Sequence, residues 1–143
     1  MEILKGKNPA AWVATIYGVP AVGKSTLATF APKPVFLDCE GGIDRIDCER
    51  TQRINSWSQL YEALGWAVGS DYQTIVIDSL SAVEEILTKK ILDDANKGRD
   101  ANYQIESLSD KTAFAYGSGF ELLKANWALF AKLLFAIKDQ GKN

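Results

Sequence analysis

A chain of 143 residues, 47% of them apolar and 24% charged, is long enough for one domain with a substantial core. Its formal charge of −2 excludes a surface made throughout for nucleic acid, though not a local basic patch, and no apolar run approaches the length of a membrane span. With Cys39 and Cys48 as its only cysteines and no histidine, the chain fits no zinc spacing, and its general bases must be carboxylates, lysines or water chains. The thiols are expected to be reduced, in a cytoplasmic protein without membrane contact.

In chain order, Trp12 to Tyr17 (WVATIY) is a β-rich run that stops at Gly18 and predicts a strand. Lys24 to Ala31 predicts a short helix stopped by Pro32 and Pro34. Val35 to Asp38 predicts a buried strand, and a weaker one is expected around Arg53 and Ile54. Ser56 or Ser58 can cap a helix running to about Val68, with Leu60, Leu64 and Val68 on one face. Thr74 to Asp78 (TIVID) is the clearest strand, apolar until its last residue as a parallel strand covered on both faces would be. A helix over about Ala82 to Ala95 carries Val83, Ile86, Leu87, Ile91 and Leu92.

Asn96 to Ser118 follows, polar and without a sustained period, and long for a connection inside a compact domain. The last helix, about Phe120 to Gln140, repeats Phe120, Leu123, Trp127, Phe130, Leu134 and Ile137 at steps of three and four. Leu122, Leu129 and Leu133 widen that stripe, so most of this helix is expected to be covered. Strands alternating with helices predict an α/β layered sheet with right-handed crossovers.

The chemistry is concentrated between the first predicted strand and the first helix. Gly18-Val19-Pro20-Ala21-Val22-Gly23-Lys24-Ser25 matches G-x-x-x-x-G-K-[ST] in the strand-then-helix context that the motif requires. Glycines at its ends permit close backbone approach, and N–H groups turned inward form an anion nest beside a helix N-terminus. Lys24 is expected to bridge the β- and γ-phosphates, as both a binding and a catalytic residue. The Ser25 hydroxyl is a hard oxygen ligand suited to Mg²⁺, and Thr26 completes the nucleotide-binding set. Asp78, at the tip of a buried strand, is the natural second metal residue. Ser79 and Ser81 are expected to cap the next helix, with Glu84 and Glu85 on its solvated face.

Phe36 to Asp44 (FLDCEGGID) ends a second strand in two acids and a double glycine. Strand tips of open α/β sheets gather at one edge, so Asp38 and Glu40 are expected to share an edge with Gly18 to Ser25 and Asp78. The stretch reads either as a polar turn or as the source of a carboxylate that orients water. Glu40 has the longer reach and precedes Gly41-Gly42, whereas Asp38 is set to hydrogen-bond locally.

Together these segments resemble the RecA-like ATPases, in which a strand ending Asp-x-Glu follows the phosphate loop. Phe36-Leu37-Asp38-Cys39-Glu40 is similar to that element, and Ile75-Val76-Ile77-Asp78-Ser79 to the metal-binding strand. A closer resemblance is to phage-encoded RecA-like ATP-binding proteins associated with recombination and single-strand annealing. It rests on Lys33-Pro34, Asp38 to Asp44 and Tyr116-Gly117-Ser118-Gly119-Phe120.

The resemblance implies a three-layer P-loop NTPase fold with a mostly parallel central sheet, and one nucleotide-binding domain over residues 1–143. It implies ATP, ADP and Mg²⁺ as ligands, ATP hydrolysis with Glu40 as the catalytic carboxylate, a homo-oligomer, and work on DNA in the host cytoplasm. RecA-like cores continue with a further strand whose tip senses the γ-phosphate, so the chain reads as a core truncated at its C-terminus. Where relatives carry a DNA-contacting loop, this sequence has Lys97, Arg99, Lys111 and Tyr103 as candidate contacts to single-stranded DNA, with Phe114 and Tyr116 nearby. Asp100, Glu106 and Asp110 offset the charge, and a plain connector is the alternative. A nucleotide-gated interaction module without turnover, or a small-molecule or nucleotide kinase, are the competing functions.

Overall fold

Pro34–Asp38 (β1) and Thr74–Asp78 (β2) pair in parallel, in register from Pro34 opposite Thr74 to Asp38 opposite Asp78. The computed structural model describes residues 10–143, and among them these strands form the one sheet, with two strands. The other regular elements among the described residues are the helices α1 (Lys24–Ala28), α2 (Trp57–Gly69), α3 (Leu80–Asn96) and α4 (Ser118–Asp139) and two short 3₁₀ turns, Ala101–Tyr103 and Ala115–Gly117. The fold is thus mixed α/β with a small parallel sheet. None of the helices among the described residues is long and apolar enough to cross a membrane.

Helices α2 and α3 begin where side chains satisfy their first N–H groups. The Ser56 hydroxyl accepts the Gln59 N–H at 3.3 Å to start α2, and the Ser79 hydroxyl accepts that of Ala82 at 3.4 Å to start α3. Leu60 and Leu64 on α2, Val83, Ile86 and Leu87 on α3, and Phe130 and Ile137 on α4 bury against Leu37 of β1. Phe130 sits edge-on to both Trp57 and Trp127, with ring centroids 6.0 and 5.7 Å away. β1 is sealed, with Val35, Phe36 and Leu37 each no more than 1% exposed, whereas every residue of β2 is half-buried.

The strand expected at Trp12 to Tyr17 is not formed. Residues 11–18 have no regular structure, and Trp12, Val13, Ile16 and Tyr17 are exposed. The edge of β2 is engaged instead by Asn143, whose N–H donates to the Gln73 carbonyl at 2.9 Å and whose carbonyl accepts the Ile75 N–H at 2.8 Å. The Trp12 N–H turns to the Asn143 side chain at 3.2 Å, and a β-rich run without a ladder partner has nothing to hold it extended. The first helix is also shorter than expected. α1 ends at Ala28 and the chain reaches Ala31 in single turns, Phe30 N–H to the Leu27 carbonyl and Ala31 N–H to that of Ala28.

The weak strand expected around Arg53 and Ile54 is not formed there; the chain meets β1 earlier, at Arg50. Phe36 of β1 forms a parallel bridge with Arg50 on the side away from β2. The long connection is not featureless either: Ile105, Leu108 and Phe114 close a second small core against Ile91 of α3. Asn96 ties it down, its amide donating to the Ile105 carbonyl and accepting the Ile105 N–H at 2.9 and 2.6 Å. Gly119 lets α4 start against this unit, because a Cβ there would collide with the Leu108 carbonyl and the Phe114 ring.

The apolar stripe of α4 is covered only in part: Phe120, Leu122, Leu129 and Phe135 stay exposed, contrary to a helix covered on most sides. Phe130→Ala should therefore cost about 3–5 kcal/mol in urea unfolding, whereas Phe135→Ala should stay within about 0.5 kcal/mol of the parent.

Candidate functional site

The parallel register of β1 and β2 sets Asp38 beside Asp78 at one edge of the sheet, as expected of strand tips in an α/β layer. Asp78 then gathers its surroundings. Its carboxylate accepts the Ser25 hydroxyl at 2.5 Å, joining the phosphate-loop motif to β2. Its carbonyl accepts the N–H groups of Cys39 and Glu40 at 2.8 and 3.1 Å, holding the turn after β1 against the same strand end. Ser25, Asp78 and Glu40 therefore stand together, although they are far apart in sequence.

The loop from Gly18 to Ser25 is tightly curled. Gly23 lies at φ +93°, a conformation that favours glycine, and Ala21 lies at φ +61°, unusual for a residue with a side chain. The Lys24 ammonium donates to the carbonyls of Gly18 and Val19 at 2.9 and 3.0 Å, bending its stem back over the loop. Val19, Pro20, Ala21 and Val22 are exposed, and Thr26 lies on the outer side of α1, exposed as well. The first-turn N–H groups of α1 have no intrahelical acceptor and no capping side chain, so they remain available to an anion.

The donor set at Ser25 and Asp78 consists of hard oxygens, the kind Mg²⁺ takes. Among the described residues no cluster of three or more acids, cysteines or histidines could cage a metal.

Asp38 is used structurally. It is 5% exposed, its Oδ1 accepts the Gly41 N–H at 2.6 Å, its carbonyl accepts the Ile54 N–H at 2.7 Å, and its own N–H meets the Thr51 hydroxyl at 3.2 Å. Glu40 remains exposed, so the two acids of the stretch divide into a turn-forming one and a solvent-facing one. Thr51 carried no signal in the sequence, since its role arises only from the strand-like path beside β1. Cys39 is buried, and burial, with Asp38 and Asp78 beside it, pushes its thiol up to about 12. Neither cysteine is in a disulfide.

Of the expected DNA contacts, Lys97 is not a free cation. Lys97 pairs with Asp94 at 2.6 Å, which lowers the Asp94 carboxyl and raises the lysine. The Arg99 Nε donates to the Ala95 carbonyl at 3.0 Å. Lys111 is exposed, Tyr103 is exposed in a short 3₁₀ turn over Ala101–Tyr103, and Phe114 belongs to the second core. Tyr116, fully exposed, lies at φ +55°. An open groove of about 830 Å³ along α3, edged by Glu84, Glu85, Lys89 and Asp93, shares no lining residue with the phosphate loop.

The family profile of an AAA domain matches residues 10–140, which contain every residue of this edge. The chain belongs to the AAA domain family, and with its phosphate loop joined to Asp78 it is a P-loop nucleotide-binding domain of that type. Among curated proteins it is similar to the SPbeta prophage-derived uncharacterized protein YorG of Bacillus subtilis (strain 168), 29% identical over 104 residues. That match covers 68% of this chain and 30% of YorG, so the chain corresponds to less than a third of that relative's length. No solved structure matches it.

The burial of Cys39 is directly measurable. In native protein at pH 8, iodoacetamide should modify Cys48 alone, as counted by intact mass, and Cys39 should react only after unfolding. Two alkylated cysteines in the native state would contradict the buried, proton-holding environment described for Cys39.

Proposed function

We propose that the chain is the nucleotide-binding domain of an Mg²⁺-dependent, RecA-like ATPase of phage origin that handles single-stranded DNA in recombination. The observation that carries this reading is the hydrogen bond between Ser25 and Asp78, with Glu40 held on the Asp78 carbonyl. In this reading the loop from Gly18 to Thr26 holds the phosphates through its N–H groups and Lys24. Mg²⁺ would be held by the Ser25 and Asp78 oxygens, where it would supply charge to offset that of the phosphates. Glu40 takes a proton from, and orients, the water that attacks the terminal phosphate, a contribution of about 10²–10⁴ in rate. Residues 1–143 act as a single P-loop unit in a three-layer, mostly parallel architecture. The prophage origin of YorG supports the phage assignment.

The exposed apolar residues of α4, Leu122, Leu129 and Phe135, favour a second element of the reading, assembly into a homo-oligomer. If nucleotide binds without turnover at every protein concentration, the chain is instead a nucleotide-gated interaction module. Phosphate transferred to an added acceptor would make it a kinase.

Two substitutions separate binding from chemistry. Lys24→Ala should abolish ATP affinity in a fluorescent-nucleotide titration, because the phosphates lose their main counter-ion. Glu40→Gln should bind ATP at near-parental affinity and lose turnover by about 10²-fold or more. Turnover at the parental rate in Glu40→Gln would overturn the catalytic assignment. For DNA, joint replacement of Lys97, Arg99 and Lys111 by alanine should weaken binding to a fluorescent oligonucleotide and flatten its salt dependence by up to about two units of slope. Unchanged binding would remove that surface from the proposal.

A further inference from the structure

The chain between β1 and α2 runs alongside β1 as a strand would, and then departs from the ladder at one place. The Phe36 N–H donates to the Glu49 carbonyl and the Thr51 N–H to the Phe36 carbonyl, both at 2.9 Å, around the parallel bridge at Arg50. A regular parallel ladder would continue with the Arg53 N–H on the Asp38 carbonyl. Ile54 makes that bond instead, at 2.7 Å, while the Asp38 N–H is met by the Thr51 hydroxyl at 3.2 Å. One extra residue therefore lies between the rungs. Extra residues of this kind bend a strand and re-aim a side chain, and they recur beside functional sites. Ile54, 4% exposed and in the main core, anchors the far side of the irregularity.

The side chain that is re-aimed is Arg53. Its guanidinium lies across the backbone of Gly41, where a Cβ would stand 2.5 Å from Nη1 and 3.1 Å from Cζ. Gly41 takes a positive φ of +77° and gives its N–H to the Asp38 carboxylate, and the guanidinium of Arg53, an exposed residue, lies over its face. Gly41 directly follows Glu40, whose own N–H is held by the Asp78 carbonyl. Arg50, by contrast, is engaged with Asp44 at 3.1 Å. Among the described residues neither Arg53 nor Glu40 forms an ion pair.

We propose that Arg53 is a positioning residue for Glu40. Its guanidinium, laid over Gly41, holds the turn that carries the carboxylate, and does so from within the same chain. The inference rests on the reading of Glu40 as the water-activating group. A loosened turn leaves phosphate binding intact, because Gly18 to Thr26 belong to a different segment, and lowers the fraction of time that Glu40 spends in position. The expected signature is a loss in kcat without a loss in nucleotide affinity.

The test compares parent, Arg53→Ala, Arg53→Lys and Glu40→Gln for ATP and ADP affinity, steady-state turnover with Mg²⁺ and single-stranded DNA, and thermal midpoint. Arg53→Ala should lower kcat by about 10- to 100-fold, the scale of a misplaced catalytic group, with both affinities within about twofold of parent. Arg53→Lys should recover part of the rate, since it restores the charge but not the planar fork. Arg53→Met, which keeps the aliphatic stem over Gly41, serves as the second variant if the alanine protein folds poorly, with the same expected loss.

A kcat within twofold of parent in the Arg53 variants, with Glu40→Gln inactive, overturns the inference and leaves the reading of Glu40 standing. Parallel loss of ATP affinity and kcat overturns it as well, by making Arg53 a phosphate ligand. Parental turnover in Glu40→Gln, or no turnover by the parent, removes the underlying reading and the inference with it.

Discussion

Asp78 is bonded through both its side chain and its backbone to segments that would otherwise be independent. Its carboxylate takes the Ser25 hydroxyl, and its carbonyl takes the amides of Cys39 and Glu40. Three stretches that come from different parts of the chain are thereby brought to one strand tip. The arrangement depends on parallel pairing in a single register. A shift of one residue would turn the β2 side chains to the opposite face, and Ser25 would lose its partner.

That register is held by burial. β1 contributes Val35, Phe36 and Leu37 to the interior without exposure, and the helices α2, α3 and α4 close over Leu37 and its neighbours. Asp38 is the polar residue at the end of this apolar run, and its backbone and carboxylate partners are all supplied by the following turn and by the strand-like path from Glu49 to Ile54. A buried acid with its hydrogen bonds made is tolerated, and an unpartnered one would not be. The polar edge is therefore built from the last residues of the core rather than attached to it.

Much of this was legible in the sequence because the signals were local. The glycine-lysine-serine loop, the apolar runs that end at Asp38 and Asp78, the serines ahead of α2 and α3, and the periodicity of α3 and α4 each act over a few residues. The expectation that Asp38 would bond locally at the strand end rests on its short side chain, and its bond to the Gly41 N–H agrees with it. What the sequence did not disclose depends on distant partners. Trp12 to Tyr17 has the composition of a strand, yet a strand exists only against a neighbour, and Asn143 holds the first rung of the β2 edge. The small core of Ile105, Leu108 and Phe114 has no period to detect, since its residues meet across turns. The placement of Arg53 follows from one supernumerary residue in a ladder, which no pattern of residue types records.

Leu123 of α4 packs against both apolar clusters, the large one under the sheet and the small one formed by Ile91, Ile105, Leu108 and Phe114. Apart from this side chain the two clusters have separate memberships, although α3 runs through both, with Leu87 in the one and Ile91 in the other. The smaller cluster has four buried residues against eleven in the larger. Its amides should thus belong to an early-opening population in native-state exchange, while those of β1 and the middle of α3 open only with the whole domain. Leu123 and the continuous backbone of α3 link the two, and through them a load placed on the surface loop reaches the helices that cover the sheet.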